Sequence, residues 1–154
     1  MRLSLLLIAL ALRASAQSAD QVAAPAVLRG AGGFFALSVR DLDAATRWYT
    51  EKLGLRIAWR TPTDAKPSVA VLAGGGLVVE LVHSDNALPR ATDAVAEPGI
   101  FKAGLLVDSL DAAVGRLRSR GVEIAYGPFP AKPEALANVS IRDNAGNLIQ
   151  LLER

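Results

Sequence analysis

The chain has no cysteine and a single histidine, His83, among its 154 residues. Without cysteine there is no disulfide, no thiol nucleophile and no thiolate metal centre. There is also no cysteine on which a bacterial lipid anchor could be built. With one histidine, read as a solvated residue at a strand end, no serine–histidine–acid triad is legible. Aromatic residues are few, at two Trp, two Tyr and four Phe. No basic run is interleaved with aromatics, so nothing points to nucleic acid. No apolar run reaches the roughly 20 residues that a helix needs to cross a bilayer. Gly74-Gly75-Gly76 is not followed by Gly-Lys-Ser/Thr and reads as a turn rather than a phosphate loop.

What is present begins with a processing signal. Met1-Arg2 carries a positive charge, Leu3 to Leu12 is apolar except for Ser4, and Ala14-Ser15-Ala16 supplies small residues at the first and third positions of a cleavage site. That order is the layout of a secretory signal peptide over residues 1–16. Cleavage after Ala16 removes Arg2 and Arg13 and no acid, which brings the mature chain close to neutrality. The basic precursor therefore says nothing about an acidic partner. The expected product is periplasmic or secreted, with no stable membrane anchor after cleavage. Residues 17–32, rich in Ala with Gly30, Gly32 and one serine, read as a flexible tether.

From Gly33 the pattern becomes that of a folded chain. Phe34 to Val39 is a short apolar run that reads as a strand. Asp41 or Asp43 is placed to cap a following helix, whose apolar face is Leu42, Ala45, Tyr49 and Leu53. Trp48 and Tyr49 are read as packing residues of that helix. Gly54 stands where a helix-terminating glycine belongs. Leu55 to Arg60 reads as a strand, and Val69 to Ala73 and Leu77 to His83 form a hairpin around the triple glycine. The order then recurs. Phe101 to Val107 is a strand. Ser109 or Asp111 caps a helix with Leu110, Ala113 and Leu117 inside. Gly121 ends it, and Val122 to Ala125 is a short strand. Gly127 to Pro133 reads as a stiff loop. Leu136 to Ile141 and Leu148 to Leu152 flank a turn at Asp143 to Asn147.

The halves superpose in sequence. Val39-Arg40-Asp41-Leu42-Asp43-Ala44-Ala45 matches Val107-Asp108-Ser109-Leu110-Asp111-Ala112-Ala113, and Gly76 to Leu81 matches Gly146 to Leu151. The chain is therefore read as α+β, with two βαβββ modules in tandem forming a cupped mixed sheet around a cleft and the helices outside. Module one spans residues 33–83, a linker 84–99, and module two 100–153.

The residues carrying these repeats resemble the vicinal oxygen chelate superfamily of glyoxalases, bleomycin resistance proteins and extradiol dioxygenases. Gly33-Phe34-Phe35-Ala36-Leu37-Ser38-Val39-Arg40-Asp41-Leu42-Asp43, Trp48-Tyr49 and Leu53-Gly54-Leu55 are similar to the opening of its first module. Val107 to Asp111 with Arg120-Gly121-Val122 is similar to the opening of its second. Ile141-Arg142-Asp143 with Gly146-Asn147-Leu148-Ile149 is similar to its closing hairpin, although Asn144 stands where the family has proline. The resemblance covers 33–153 and implies the fold rather than a reaction. It also implies a divalent metal held at four points on the first and last strands of each module. Those points map to Phe34, Glu80, Lys102 and Gln150. Phe34 has no donor atom, Lys102 is a cation, Gln150 is a weak oxygen ligand and only Glu80 is a good one. No metal or other cofactor is expected, with a degenerate divalent site as the alternative.

Strand alternation places Phe34, Glu80, Lys102, Asn138, Ser140 and Gln150 on the cleft face, with Trp59 either in the cleft or on an edge strand. Glu80 and Lys102 are expected to face one another where the metal would sit. No residue is assigned a catalytic role. The reading that follows is an exported, metal-free protein that binds a small molecule, similar to bleomycin resistance proteins. The alternatives are a glyoxalase-type lyase, isomerase or dioxygenase with a degenerate site, and a non-catalytic scaffold. Pairing of modules between chains in the family implies a homodimer.

Overall fold

The computed structural model describes residues 32–88, 100–133 and 135–154. The signal peptide, nearly all of the tether and most of the linker lie outside the described residues. Ten elements follow in order: β1 (Gly33–Val39), α1 (Leu42–Leu53), β2 (Arg56–Arg60), β3 (Val69–Gly74), β4 (Leu77–His83), β5 (Ala103–Val107), α2 (Leu110–Ser119), β6 (Ile124–Phe129), β7 (Asn138–Arg142) and β8 (Leu148–Glu153). They make two βαβββ modules. Each module forms its own four-stranded mixed sheet, in the orders β1-β4-β3-β2 and β5-β8-β7-β6. In both, the first strand runs parallel to the last and the remaining pairs are antiparallel.

Local sequence explains the boundaries. Asp41 accepts a hydrogen bond from the Ala44 amide at the start of α1, and Ser109 accepts one from Ala112 at the start of α2. Each side chain satisfies an amide that the first helical turn leaves without a partner. Gly54 ends α1 in the left-handed region at φ 73°, where a side chain would clash with its own backbone. Gly75 and Gly76, both at positive φ, close the β3–β4 hairpin. Both values match the turn whose twist suits paired strands. The stretch from Gly127, expected as loop, is instead partly strand. β6 begins at Ile124 and runs to Phe129, with register shifts at both of its intervals against β7.

The alternation of the strands sorts their side chains as their polarity predicts. Val39, Leu72, Val79 and Leu81 of module one, and Val139, Ile141, Ile149 and Leu151 of module two, are buried against the helices. Together with Leu42, Ala45 and Tyr49 of α1 and Leu110, Ala113 and Leu117 of α2, they make one continuous apolar core. The modules are thus joined on their helix-bearing sides. The joint is pinned by Tyr49, whose fully buried ring sends its hydroxyl to the Asp143 carboxylate at 2.8 Å. Asp143 also accepts from the Ala145 and Asn147 amides and from the Asn147 side chain, so one carboxylate ties the β7–β8 turn to α1. Burial, with Asp143 beside it, pushes the Tyr49 phenol pKa well above its ordinary value. Trp48 packs edge-on against Tyr49. A second tie runs from the Lys52 ammonium to the Arg120 carbonyl, and the Arg120 guanidinium returns a bond to the Lys52 carbonyl.

Candidate functional site

Six of the seven sequence-predicted site residues map by register onto the sheet faces opposite the helices, exposed on module one and buried along β7 and β8 of module two. On module one, cross-strand pairing aligns Phe34 with Val78 and Ala73, and Ala36 with Glu80 and Val71. Phe34 is 65 % exposed and Glu80 is half-buried. His83, three residues beyond Glu80, falls on the other face and contacts Asp85 at 3.1 Å.

The position of Trp59 is decided by a β-bulge. Ile57 pairs with Leu72, but Trp59 pairs with Val71, so the register shifts at Ala58. Without the extra residue, positions 57 and 59 would share a face. With it, Ile57 takes the side of buried Leu72, while Trp59 joins the row Trp59–Val71–Glu80–Ala36 on the open face. Of the two places the sequence allowed, Trp59 occupies both: it lies on an edge strand and turns onto the open face. β6 repeats the device in module two. Ile124 pairs with buried Ile141, and the two shifts then set Tyr126 opposite Ser140 and Phe129 opposite Asn138. Neither Tyr126 nor Phe129 was found by alternation. The sequence signal that could have found them is Gly127, whose φ of 88° marks the irregular strand.

On module two, Asn138, Ser140 and Gln150 form a buried polar group. The Gln150 amide nitrogen donates to the Asn138 side-chain oxygen at 2.8 Å, and the Asn138 amide nitrogen donates to the Leu136 carbonyl at 3.0 Å. Both carboxamides are thereby oriented. Beside them, the Arg142 guanidinium bonds the Gly146 carbonyl and the Tyr126 hydroxyl and lies over the Tyr126 ring. Lys102 immediately precedes β5, with its ammonium 5.7 Å from the centre of the Phe101 ring. Partial burial lowers its pKa. Glu80 and Lys102 make no ion pair, since the ion pairs among the described residues are Arg60–Asp43, His83–Asp85 and Arg154–Asp108.

These residues do not fit a tightly held divalent metal. Among the described residues, no three His, Cys, Asp or Glu side chains come together. Of the four family positions, Glu80 offers a carboxylate on one sheet and Gln150 one carboxamide oxygen on the other, while Phe34 and Lys102 offer no ligand atom at neutral pH. Two cavities lie elsewhere on the described residues. A cavity of about 450 Å³ lies at the seam between the modules, with Trp48, Ile124, Tyr126, Arg142 and Asp143 in its wall. Another of about 620 Å³ lies by the start of α1, with Arg40, Asp43, Arg60 and His83. Neither is lined by any of the seven residues. Phe34 and Trp59 are exposed on module one, whereas Asn138, Ser140 and Gln150 are buried within module two.

Two duplicated βαβββ modules, capped and turned alike, agree with the comparison of the sequence with family models. Residues 33–151 match the Glyoxalase/Bleomycin resistance protein/Dioxygenase superfamily. The chain belongs to this superfamily. Solved structures agree in fold. A glyoxylase/bleomycin resistance protein/dioxygenase domain from Frankia sp. EAN1pec is 26% identical, with a TM-score of 0.64 over 82% of this chain and 92% of that one. TnmS3, an antibiotic binding protein from Streptomyces sp. CB03234, is 25% identical, with a TM-score of 0.58 over 83% of this chain and 97% of that one. A glyoxalase I mutant from Zea mays shares the fold at 22% identity and a TM-score of 0.61, over 79% of this chain and 44% of that one. No curated protein sequence matches significantly.

Proposed function

We propose that this superfamily member is an exported, metal-free protein that binds a small organic molecule at the sheet faces opposite its helices. The observation that carries the reading is what those faces hold. Module one presents exposed aromatics around a carboxylate, and module two holds a buried, mutually bonded pair of carboxamides beside Tyr126 and Arg142. Apolar walls with a few oriented polar groups are the composition of a small-molecule site. The likeness to TnmS3 supports a binding role, and the poor donor set at the four family positions speaks against a catalytic metal. A homodimer belongs to the same reading, because a second copy would cover the exposed aromatics of module one, Phe34 and Trp59.

The test is to purify the mature protein from the periplasm or medium of its native host, without chelators, and to measure bound metal and native mass. The expected result is a chain beginning at Gln17, a co-purifying organic molecule of small mass, and divalent metal far below one equivalent. One equivalent of Ni, Zn, Fe or Mn, together with lyase, isomerase or dioxygenase turnover, would replace the reading with an enzymatic one. Recovery of the uncleaved chain from the cytoplasm would remove export.

A further inference from the structure

We infer that the seam between the two modules is a second binding site, which takes a small organic carboxylate with an aliphatic body. The inference goes beyond the small-molecule reading above and does not depend on it, because none of the seven sequence-predicted residues lines the seam.

The starting point is the seam cavity of about 450 Å³, a volume within the range of small-molecule pockets. Trp48 of α1 forms its wall on module one. Gly121 to Tyr126, Arg142 and Asp143 form its wall on module two. The apolar part is Trp48, Val122, Ile124 and Ala125. Trp48 packs edge-on against the buried ring of Tyr49, whose hydroxyl is held by Asp143, so the indole is set in place by the joint between the modules. An aliphatic chain laid against these side chains removes apolar surface of guest and host from water together.

The second observation is the charge along that wall. Arg142 has no acidic partner, since the ion pairs among the described residues lie elsewhere. Its half-buried guanidinium is held on the Gly146 carbonyl and the Tyr126 hydroxyl, and further N–H donors are left for a guest. A carboxylate is the group that a fixed guanidinium fork matches. Asp143, the next residue, does not compete for it. The Tyr49 hydroxyl, the Ala145 and Asn147 amides and the Asn147 side chain already fill its acceptor positions. Lys52 adds a second cation. Its ammonium sits on the Arg120 carbonyl and stands 3.6 Å from the point where a side chain on Gly121 would begin. Glu123, the other acid in the wall, is exposed and screened by water and salt. A cationic guest meets Arg142 and Lys52 and finds no vacant acceptor on Asp143. A neutral guest displaces water from Arg142 without neutralising it.

The experiment follows the indole N–H signals of the full mature protein by NMR at neutral pH. The chain has two tryptophans, Trp48 at the seam and Trp59 on the open face of module one, and Trp59→Phe identifies the Trp48 signal. The probes are octanoate, octanamide and octylammonium. Octanoate is expected to shift Trp48 and leave Trp59 in place, with an affinity at least about tenfold above that of octanamide, the size expected of a charge-assisted bond. Octylammonium should bind more weakly than either. Arg142→Gln should bring octanoate within about twofold of octanamide. Glu123→Gln, a change at an exposed position, should tighten octanoate by removing the one acid with unfilled acceptors. Equal binding of octanoate and octanamide by the wild-type protein overturns the inference without any variant having to fold. So does a shift of Trp59 alone, which would put the guest on the open face of module one. Absence of a Trp48 shift up to about 10 mM octanoate overturns it as well.

Discussion

Tyr49 shows how much one side chain can fix. Its ring lies wholly in the core of module one, yet its hydroxyl reaches Asp143 of module two. Tyr49→Phe keeps the packing and deletes that bond. Asp143 retains three other donors, so no buried charge is left bare. The expected cost is about 1–2 kcal/mol, read by urea unfolding. The same change should alter the dependence on pH. The phenol pKa is raised above its ordinary 10.0 by burial first and by Asp143 second. Above about pH 10 the unfolded chain releases this proton while the folded chain keeps it. The unfolded state then binds fewer protons, and stability falls as pH rises. The wild-type protein should lose stability above pH 10 more steeply than the Phe variant. Parallel curves for the two would show that Tyr49 does not couple the modules in this way. Periodicity places Tyr49 on the inner face of α1, but it cannot reveal a partner 94 residues away.

At the scale of elements, the sequence shows most where a rule is local. Asp41, Ser109 and Gly54 mark helix ends because capping and left-handed backbone depend on adjacent residues alone. Gly54→Ala tests this directly. The new methyl would sit at positive φ and 2.8 Å from the Arg120 guanidinium nitrogen, which can swing aside by giving up its exposed bond to the Lys52 carbonyl. The backbone term then dominates, and a loss of about 1–2 kcal/mol in unfolding free energy is expected. A change below a few tenths would mean that α1 ends differently. The strands are harder to read. Alternation assigns the faces of β1, β4, β7 and β8 correctly because these strands pair without interruption. It fails on β2 and β6, where one extra residue reverses every later side chain. Those edge strands deliver Trp59, Tyr126 and Phe129, so part of the candidate site rests on the feature that sequence periodicity reads least well. Deleting Ala58 should remove the bulge and keep Trp59 opposite Val71. Folding and any Trp59-dependent ligand binding should therefore survive. Loss of both would mean that the bulge itself shapes the site.

At the scale of the whole molecule, the open faces and the strand edges pose one problem together. β1 and β5 are the outer strands of their sheets. Their sequences, Gly33-Phe34-Phe35-Ala36-Leu37-Ser38-Val39 and Ala103-Gly104-Leu105-Leu106-Val107, carry no charge and no proline, the usual guards of an exposed edge. Phe34 of β1 and Leu106 of β5 are both largely exposed. The chain cannot cover these surfaces with its own helices, which are already spent on the shared core between the modules. A second copy can, if β1 of each chain meets β5 of the other. That arrangement is closed by a two-fold axis and leaves no β1 or β5 edge free, so it does not propagate into a filament. It also brings the exposed face of module one, with Phe34, Trp59 and Glu80, up to module two of the next chain. Light scattering after size-exclusion chromatography should therefore give twice the chain mass at micromolar concentration. The double variant Phe34→Lys with Leu106→Lys should elute as a monomer that remains folded by circular dichroism, whereas Glu80→Gln should stay dimeric. A wild-type monomer at these concentrations would rule out this pairing and leave each face to bind its ligand alone.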